Sequence, residues 1–482
     1  MAAIISNKFR VHNAEQFYES FGGSSSQEAS GTASTYYLFV GRPQQFSTTT
    51  GGGTDASPPT PVDNPQEEYR HFRDMLAAKK VATSDVSFVV PRRNWTVSTV
   101  YDEYRHDYSS TNQSTSSQST LFDSTFYVMT DEYKVYKCMF NNSGAVTVTK
   151  PTSTSNTEFT TATDNYKWKY MYTMSTTQVQ NFLTADFMPV VDTKGTITGI
   201  SQSTVSSNAV NGEIRHIKIT TAGVGYTNNV YTSVPIRGDG TGGVCTVTIA
   251  GGVVTAVVVT SQGTNYTYAT VHVNGITSVG TPSTAAVLTP IVGPTDGGSP
   301  VKGGHGYDAL KELGAFYVMT NTSLTGAEGS DFITGQDFRR IGLVRNPYNY
   351  GTVVVASAAT RSALKSVTFA ASPTPGTFTN DEIITGGTSG AKGLVVNWNS
   401  TTRVLSYVQT DYTGVDTNKN LTAFSASAEV VTGASSTATG TTSAVSNPEI
   451  DYYSGDIMYV EHRAPIMRAT AQTENVKLVI EF

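Results

Sequence analysis

The last seven residues alternate cleanly between apolar and mixed positions. Val476, Leu478, Ile480 and Phe482 fall on one face of an extended chain, and Lys477, Val479 and Glu481 fall on the other, the period-two pattern of a half-buried strand. Burying the first four side chains would contribute about 1.5–3 kcal/mol each, so this strand is expected to enter a sheet built from earlier segments. Upstream, residues 457–461 predict a second short strand, and Pro465 is expected to end that run by forcing Ala464 out of the helical region. Apolar runs and alternation predict further strands at 36–40, 88–90, 126–129, 133–140, 167–174 and 338–344, with a strand-like start at 3–5.

Helical signals are few and short. Asn13 with Gln16 three residues later forms a capping box, with Phe17 and Phe21 on one face before Gly22 and Gly23, and a Ser-rich loop follows. Asn64 caps a second helix with Pro65 at its first position, Glu67 to complete the box, and Tyr69, Phe72 and Leu76 on one face. Ser175 with Gln178 opens a third carrying Val179, Phe182 and Leu183, and residues 308–313 predict a helical turn. Residues 47–63 have hardly an apolar side chain and read as a long surface loop.

Two stretches change character and repeat internally. Residues 196–300 are nearly free of charge and rich in Gly, Thr and Val; Thr221, Gly223, Tyr226 and Thr227 recur 40 positions later as Ser261, Gly263, Tyr266 and Thr267. Residues 361–445 hold a second duplication, in which Glu382, Gly386, Ser389, Ala391 and Gly393 recur 47 positions later as Glu429, Gly433, Ser436, Ala438 and Gly440. Two copies apiece predict small pseudo-symmetric β-modules, since a solenoid needs three or more repeats. The chain therefore divides into a framework at 1–195, 301–360 and 446–482, interrupted by inserted modules at 196–300 and 361–445.

Composition sharpens the class. At 482 residues the chain should split into two to four units. Only 15% of residues are charged, and Ser, Thr, 43 Gly and 26 Tyr take their place, which favours short strands joined by tight turns. The expected fold is mainly β: a β-sandwich framework with a few short helices on loops, plus the two inserted β-modules. A net charge of -6 gives no footprint for nucleic acid. No apolar run reaches the roughly 18 residues of a membrane span, and the first residues do not resemble a signal peptide. Cys138 and Cys245 lie in segments that read as separate units, so no disulfide is expected.

Motifs for catalysis are sparse. Gly386 to Lys392 looks like a phosphate loop, but Ala391 stands before the lysine and Gly393 after it, and the second copy has no lysine, so a structural turn is expected. The seven histidines show no paired metal spacing; His106 among Asp102, Glu103 and Asp107 reads as a solvated loop in preference to a metal site. Tyr101, Tyr104 and Tyr108 suit either an interface or carbohydrate-stacking patch, or packing at a domain edge, with packing the default. Arg92, Arg93 and Trp95 suit either a partner contact or a structural loop. No metal and no cofactor is expected.

Several stretches resemble one family. Ser6 to Arg10, Phe17 to Gly22, Phe39 to Arg42, Val90-Pro91-Arg92-Arg93-Asn94-Trp95, Trp168 to Tyr170, Phe338-Arg339 before Asn346-Pro347, Ile457 to Tyr459, Arg463 with Pro465-Ile466, and Gln472 to Glu474 are similar, in the same order, to the baseplate wedge subunit known as the gene-eight product of T-even-type contractile-tailed bacteriophages. The resemblance implies a non-enzymatic virion protein of the tail baseplate, assembled in the host cytoplasm. It further implies a homodimer that bridges other wedge proteins and passes a shape change toward the sheath. It gives the inserted modules no role. Arg92, Arg93, Trp95 and Arg463 are the expected interface residues. The competing reading is a host-surface glycan-binding or depolymerising tail protein, suggested by the Tyr-rich loops and repeated β-modules.

Overall fold

The computed structural model describes residues 4–22, 33–195, 197, 201–296, 302–416 and 418–482. In chain order the framework contains α1 (Asn7–Ser20), β1 (Tyr36–Gly41), α2 (Pro65–Arg73), β2 (Met75–Lys80), β3 (Val86–Pro91), β4 (Tyr127–Met129), β5 (Lys134–Phe140), β6 (Phe159–Thr160), β7 (Lys167–Thr173), α3 (Thr176–Phe182) and β8 (Phe187–Pro189). It continues with α4 (Ala309–Leu313), β9 (Tyr317–Thr325), β10 (Asp337–Arg345), β11 (Thr360–Ser362), β12 (Asp456–Met467) and β13 (Thr473–Glu481). The fold is mainly β with few short helices.

Three antiparallel sheets form the framework, ordered β11-β2-β1-β10-β12, β13-β9-β3-β8 and β4-β5-β7-β6. The first two face each other across one core: Tyr36, Leu38 and Val40 of β1 and Ile341 and Leu343 of β10 meet Phe88 and Val90 of β3, Val318 of β9 and Leu478 of β13. Alternation sends Tyr37 and Phe39 the other way, where they pack with Phe72 of α2 and Ile450. The third sheet adds Val135, Met171 and Tyr172 to the shared core and turns Tyr136, Cys138 and Trp168 into a core of its own. Cys138 and Cys245 are free, each buried in a different core.

The predicted C-terminal strand is β13, paired with β9 from Tyr317 opposite Glu481 to Thr325 opposite Thr473. Leu478 is fully covered, while Val476, Ile480 and Phe482 are half-buried against the shared core. The chain end is tied to the chain start: Phe482 packs its ring 5.2 Å from that of Phe17, and the Arg10 guanidinium donates to the Phe482 carbonyl and the Glu481 carboxylate.

Several expectations require correction; Leu76, expected on the face of the second helix, lies in β2, because α2 ends at Arg73. The first helix begins seven residues earlier than the Asn13 box implies: Ser6 is the N-cap, its Oγ accepting from Phe9 N at 3.3 Å, and Asn13 sits mid-helix. Val11, Ala14 and Tyr18 supply the buried stripe. Pro465 does not end its strand. β12 runs on to Met467 because it is an edge strand, where a missing N–H need not break a ladder, and because Pro465 falls in the irregular stretch between the pairs His462–Arg340 and Ile466–Phe338. Ile4 and Ile5 form no strand; residue 3, Gly23 and most of the Ser-rich loop lie outside the described residues.

In the region 214–292, strands Ile214–Thr221, Asn229–Pro235, Thr241–Ala250, Val253–Thr264 and Val287–Val292 surround a core that includes Ile217, Tyr226, Val247 and Tyr266. The repeated Gly-x-x-Tyr has a steric cause. Gly223 and Gly263 have φ of +70° and +63°, and a Cβ on either would stand 2.5 or 2.6 Å from the ring of its own Tyr226 or Tyr266. The copies also dock reciprocally: the Tyr226 amide donates to the Gly252 carbonyl and the Tyr266 amide to the equivalent Gly212 carbonyl, beside bonds from the Gly225 amide to Gly252 and from the Asn265 amide to Asn211.

Between 365 and 446 six strands close into a barrel, in the order Lys365–Phe369, Val404–Val408, Lys392–Asn399, Ile383–Gly386, Val430–Gly433 and Thr439–Ser446. Thr385 lies opposite Thr432, its equivalent in the other repeat, so a pseudo-two-fold axis passes through that pair. Phe369, Ile384, Val395, Leu405 and Val431 fill the interior.

Candidate functional site

The Arg92 to Trp95 loop leaves β3 and crosses the end of the third sheet. Tyr127 donates its hydroxyl to the Pro91 carbonyl at 2.8 Å, and the loop exchanges backbone bonds with Met129 through Arg93 O and Trp95 N. Arg92 donates Nη1 to the Thr184 carbonyl at 2.7 Å and Nε to Asn94 Oδ1 at 2.9 Å. Arg93 lies 4.3 Å over the Tyr127 ring and donates Nη2 to the Phe122 carbonyl at 2.8 Å. Trp95 packs against the core of the third sheet, with its indole N–H buried and without an acceptor among the described residues. These three residues therefore bind one loop to its own chain. Arg463 is different: it lies on β12, 44% exposed, with Glu461 at 3.1 Å beside it.

Sequence reading missed two buried arginines next to Phe338. Arg339 grips Asp55 through two bonds of 2.9 Å and also donates to the Pro43 carbonyl, so it anchors the 47–63 loop. Burial pushes the Asp55 carboxyl up, and the Arg339 and Phe46 bonds outweigh this and hold it below the usual carboxylate range. Arg340 pairs with Asp74, equally buried. The signal was Asp55, a carboxylate in the middle of a loop whose one other charge is Asp63 at its end.

The tyrosine group divides. Tyr101 and Tyr104 are core residues, and Tyr108 is half-buried with its hydroxyl donating to the Glu103 carbonyl at 2.7 Å, so the packing reading is the one observed. The acids around His106 disperse. Asp102 accepts from Ser116 and Thr125, Asp107 pairs with Arg105 at 2.7 Å, and His106 Nδ1 accepts from Val292 N. Among the described residues no three His, Cys, Asp or Glu side chains gather to hold a metal, and no helix is long and apolar enough to cross a membrane.

A buried polar knot stands where the chain leaves for the 214–292 region and returns. Lys137 of β5 pairs with Glu312 of α4, both essentially without solvent contact. Glu312 also accepts from Gly306 N and Asp308 N. Glu213 accepts from Arg215 at 2.6 Å and from His305 N at 3.0 Å. Burial pulls the nearby Lys169 down to about 8 and holds His305 far below its ordinary value, hence neutral. A cleft of about 330 Å³ opens alongside, lined by Lys8, Tyr104, Phe122, Tyr307 and Lys311 among others. Among the described residues these bonds tie β5 to α4 and to the segments that leave for and return from the 214–292 region.

No curated protein matches the chain. Residues 3–144, which span α1 through β5 and include the Arg92 to Trp95 loop, match the family model described as Bacteriophage T4, Gp8. Over that stretch the chain is thus similar to the baseplate wedge subunit that its motifs resemble, which supports a structural role in a phage baseplate.

Proposed function

We propose that the chain is a wedge component of a contractile phage tail that bridges neighbouring wedge proteins as a homodimer and relays a change of shape toward the sheath. The observation that carries this is the family match over residues 3–144, together with the tying of that stretch to the far end of the chain through Arg10, Phe17 and Phe482. We propose the division into a framework at 1–195, 301–360 and 446–482 with insertions at 196–300 and 361–445. In this division Arg92, Arg93 and Trp95 hold a loop in position and exposed Arg463 meets a neighbour. A reconstruction of the assembled tail tests the reading: the chain should appear as paired copies within each wedge. A stable monomer by sedimentation that is missing from purified particles overturns it.

A further inference from the structure

Most edges of the three framework sheets are short or broken. β4, β8 and β11 are three residues long, β8 ends on Pro189, and β6 has two residues. β12 is long, but its register shifts twice and it contains Pro465. Such features keep a sheet edge from recruiting another strand. β13 has none of them. It runs nine residues in unbroken register with β9, without proline or bulge, and no strand lies on its other side among the described residues.

The phase of the ladder identifies the open groups. Phe482 N donates to Phe316 O at 3.0 Å and Gly326 N donates to Gln472 O at 3.1 Å. Bonded pairs alternate in an antiparallel ladder, so the even-numbered residues of β13 bond to β9. Thr473, Asn475, Lys477, Val479 and Glu481 turn their N–H and C=O groups outward. Of the charged side chains here, Glu474 pairs with Arg468 and Glu481 with Arg10, while half-buried Lys477 has no carboxylate partner among the described residues.

We propose that β13 is a strand-addition site: an extended segment of a different protein chain pairs with its open edge and sets an Asp or Glu beside Lys477. Backbone bonds supply the affinity in such additions and alternate side chains the selectivity. A second copy is the poorer occupant, because full-length two-fold pairing of β13 with itself centres on residue 477 and puts two lysines opposite each other, which is destabilising. The inference rests on the wedge reading only in taking the occupant to be another baseplate protein.

The test is amide hydrogen exchange on the full chain, with and without the acetylated, amidated peptide Thr-Val-Thr-Val-Glu-Val-Thr-Val-Thr, whose central Glu meets Lys477 in antiparallel pairing. Alone, the amides of 475, 477 and 479 should exchange fast and those of 476, 478 and 480 slowly. The peptide should slow the first group and bind about tenfold tighter than its counterpart with a central Lys. Asn475→Pro removes an outward N–H and should abolish the slowing while leaving the unfolding midpoint in place. The proposal is overturned if the odd-numbered amides are already slow in the monomeric chain, or if they stay fast both with millimolar peptide and in purified tails that contain the chain. Absence from tails combined with peptide protection would sink the wedge reading and leave this one standing.

Discussion

Glu382 and Glu429, 47 positions apart, each close the turn that belongs to the other. Glu382 accepts from the amides of Ser435 and Ser436 at 3.1 and 2.9 Å and from both hydroxyls. Glu429 accepts from the amides of Thr388 and Ser389, the equivalent pair, at 3.0 and 2.6 Å. The turn that looks like a phosphate loop thus does present its amides to an anion, and the anion is a carboxylate of the same chain. Both carboxylates are buried, so each repeat is incomplete without its twin.

Glu382→Ala should therefore loosen both halves of the barrel. It takes the acceptor from the half-buried amides of Thr379, Ser435 and Ser436; a hydrogen bond to a charged group contributes about 1.5–3 kcal/mol, and water recovers part of this at such positions, so a loss of about 3 kcal/mol in all is expected. Faster exchange at 383–386 as well as 430–433 checks it; an effect confined to 430–433 would argue against mutual closure.

The same carboxylates predict a sign for pH. Burial pushes each one up, but the donors outweigh it: Ser436, Thr379 and Ser435 for Glu382, and Ser389, Ser425 and Thr388 for Glu429. Both end below the usual carboxylate range. A depressed folded value means the stabilisation is complete above the unfolded value of about 4.3 and is lost as pH falls through the folded value. Barrel exchange, corrected for intrinsic rates, should rise as pH drops below about 4.3, and the Glu382→Gln, Glu429→Gln double variant should flatten that rise.

In the 214–292 region the glycine of each repeat is the sensitive position. Gly263→Ala meets the Tyr266 ring and the Gly243 amide at 2.6 and 2.7 Å and also occupies a left-handed φ, so a cost of about 1–3 kcal/mol is expected from backbone strain alone. Thermal unfolding should report it. Gly251→Ala, also left-handed but with open space around it, should cost less, and equal costs would reject the ring contact as the reason for the repeat.

The central strands were legible as runs, because a strand buried on both faces carries apolar and aromatic residues almost continuously; β3, β5, β7 and β10, covered along nearly their whole length, fall where 88–90, 133–140, 167–174 and 338–344 predict. Caps were less legible. Asn64 does cap α2, its Oδ1 accepting from Glu67 N, but Glu67 turns its carboxylate to Arg70, and α1 uses Ser6 with no acid or amide to mark it. The duplications announced equivalence without revealing exchange, since a repeat in sequence does not say which copy's turn a glutamate will meet. Lys137 and Glu312 were illegible for a similar reason: they meet only in space, although a lysine in the apolar run of β5 was a signal.

Lys137→Met should cost about 3–5 kcal/mol, because it leaves the Glu312 charge buried without its cation. Adding Glu312→Gln removes the charge and should restore part of the loss, giving a strong coupling in a double-mutant cycle of unfolding free energies. Additive losses would mean that the pair is not coupled.

Removing residues 476–482 should destabilise the framework more than the barrel or the 214–292 region. The deletion strips Leu478 from the shared core, worth about 1.5–3 kcal/mol by itself, and uncovers the β9 ladder from Tyr317 to Thr322. It also frees Arg10 and Phe17 of α1 from Phe482. Neither of the other two cores contains a residue from this segment. Limited proteolysis should cut within α1, β1 and β3 of the truncated chain while fragments covering 365–446 persist. Protection of the framework equal to that of the intact chain would show that β13 closes nothing that the other strands do not already hold.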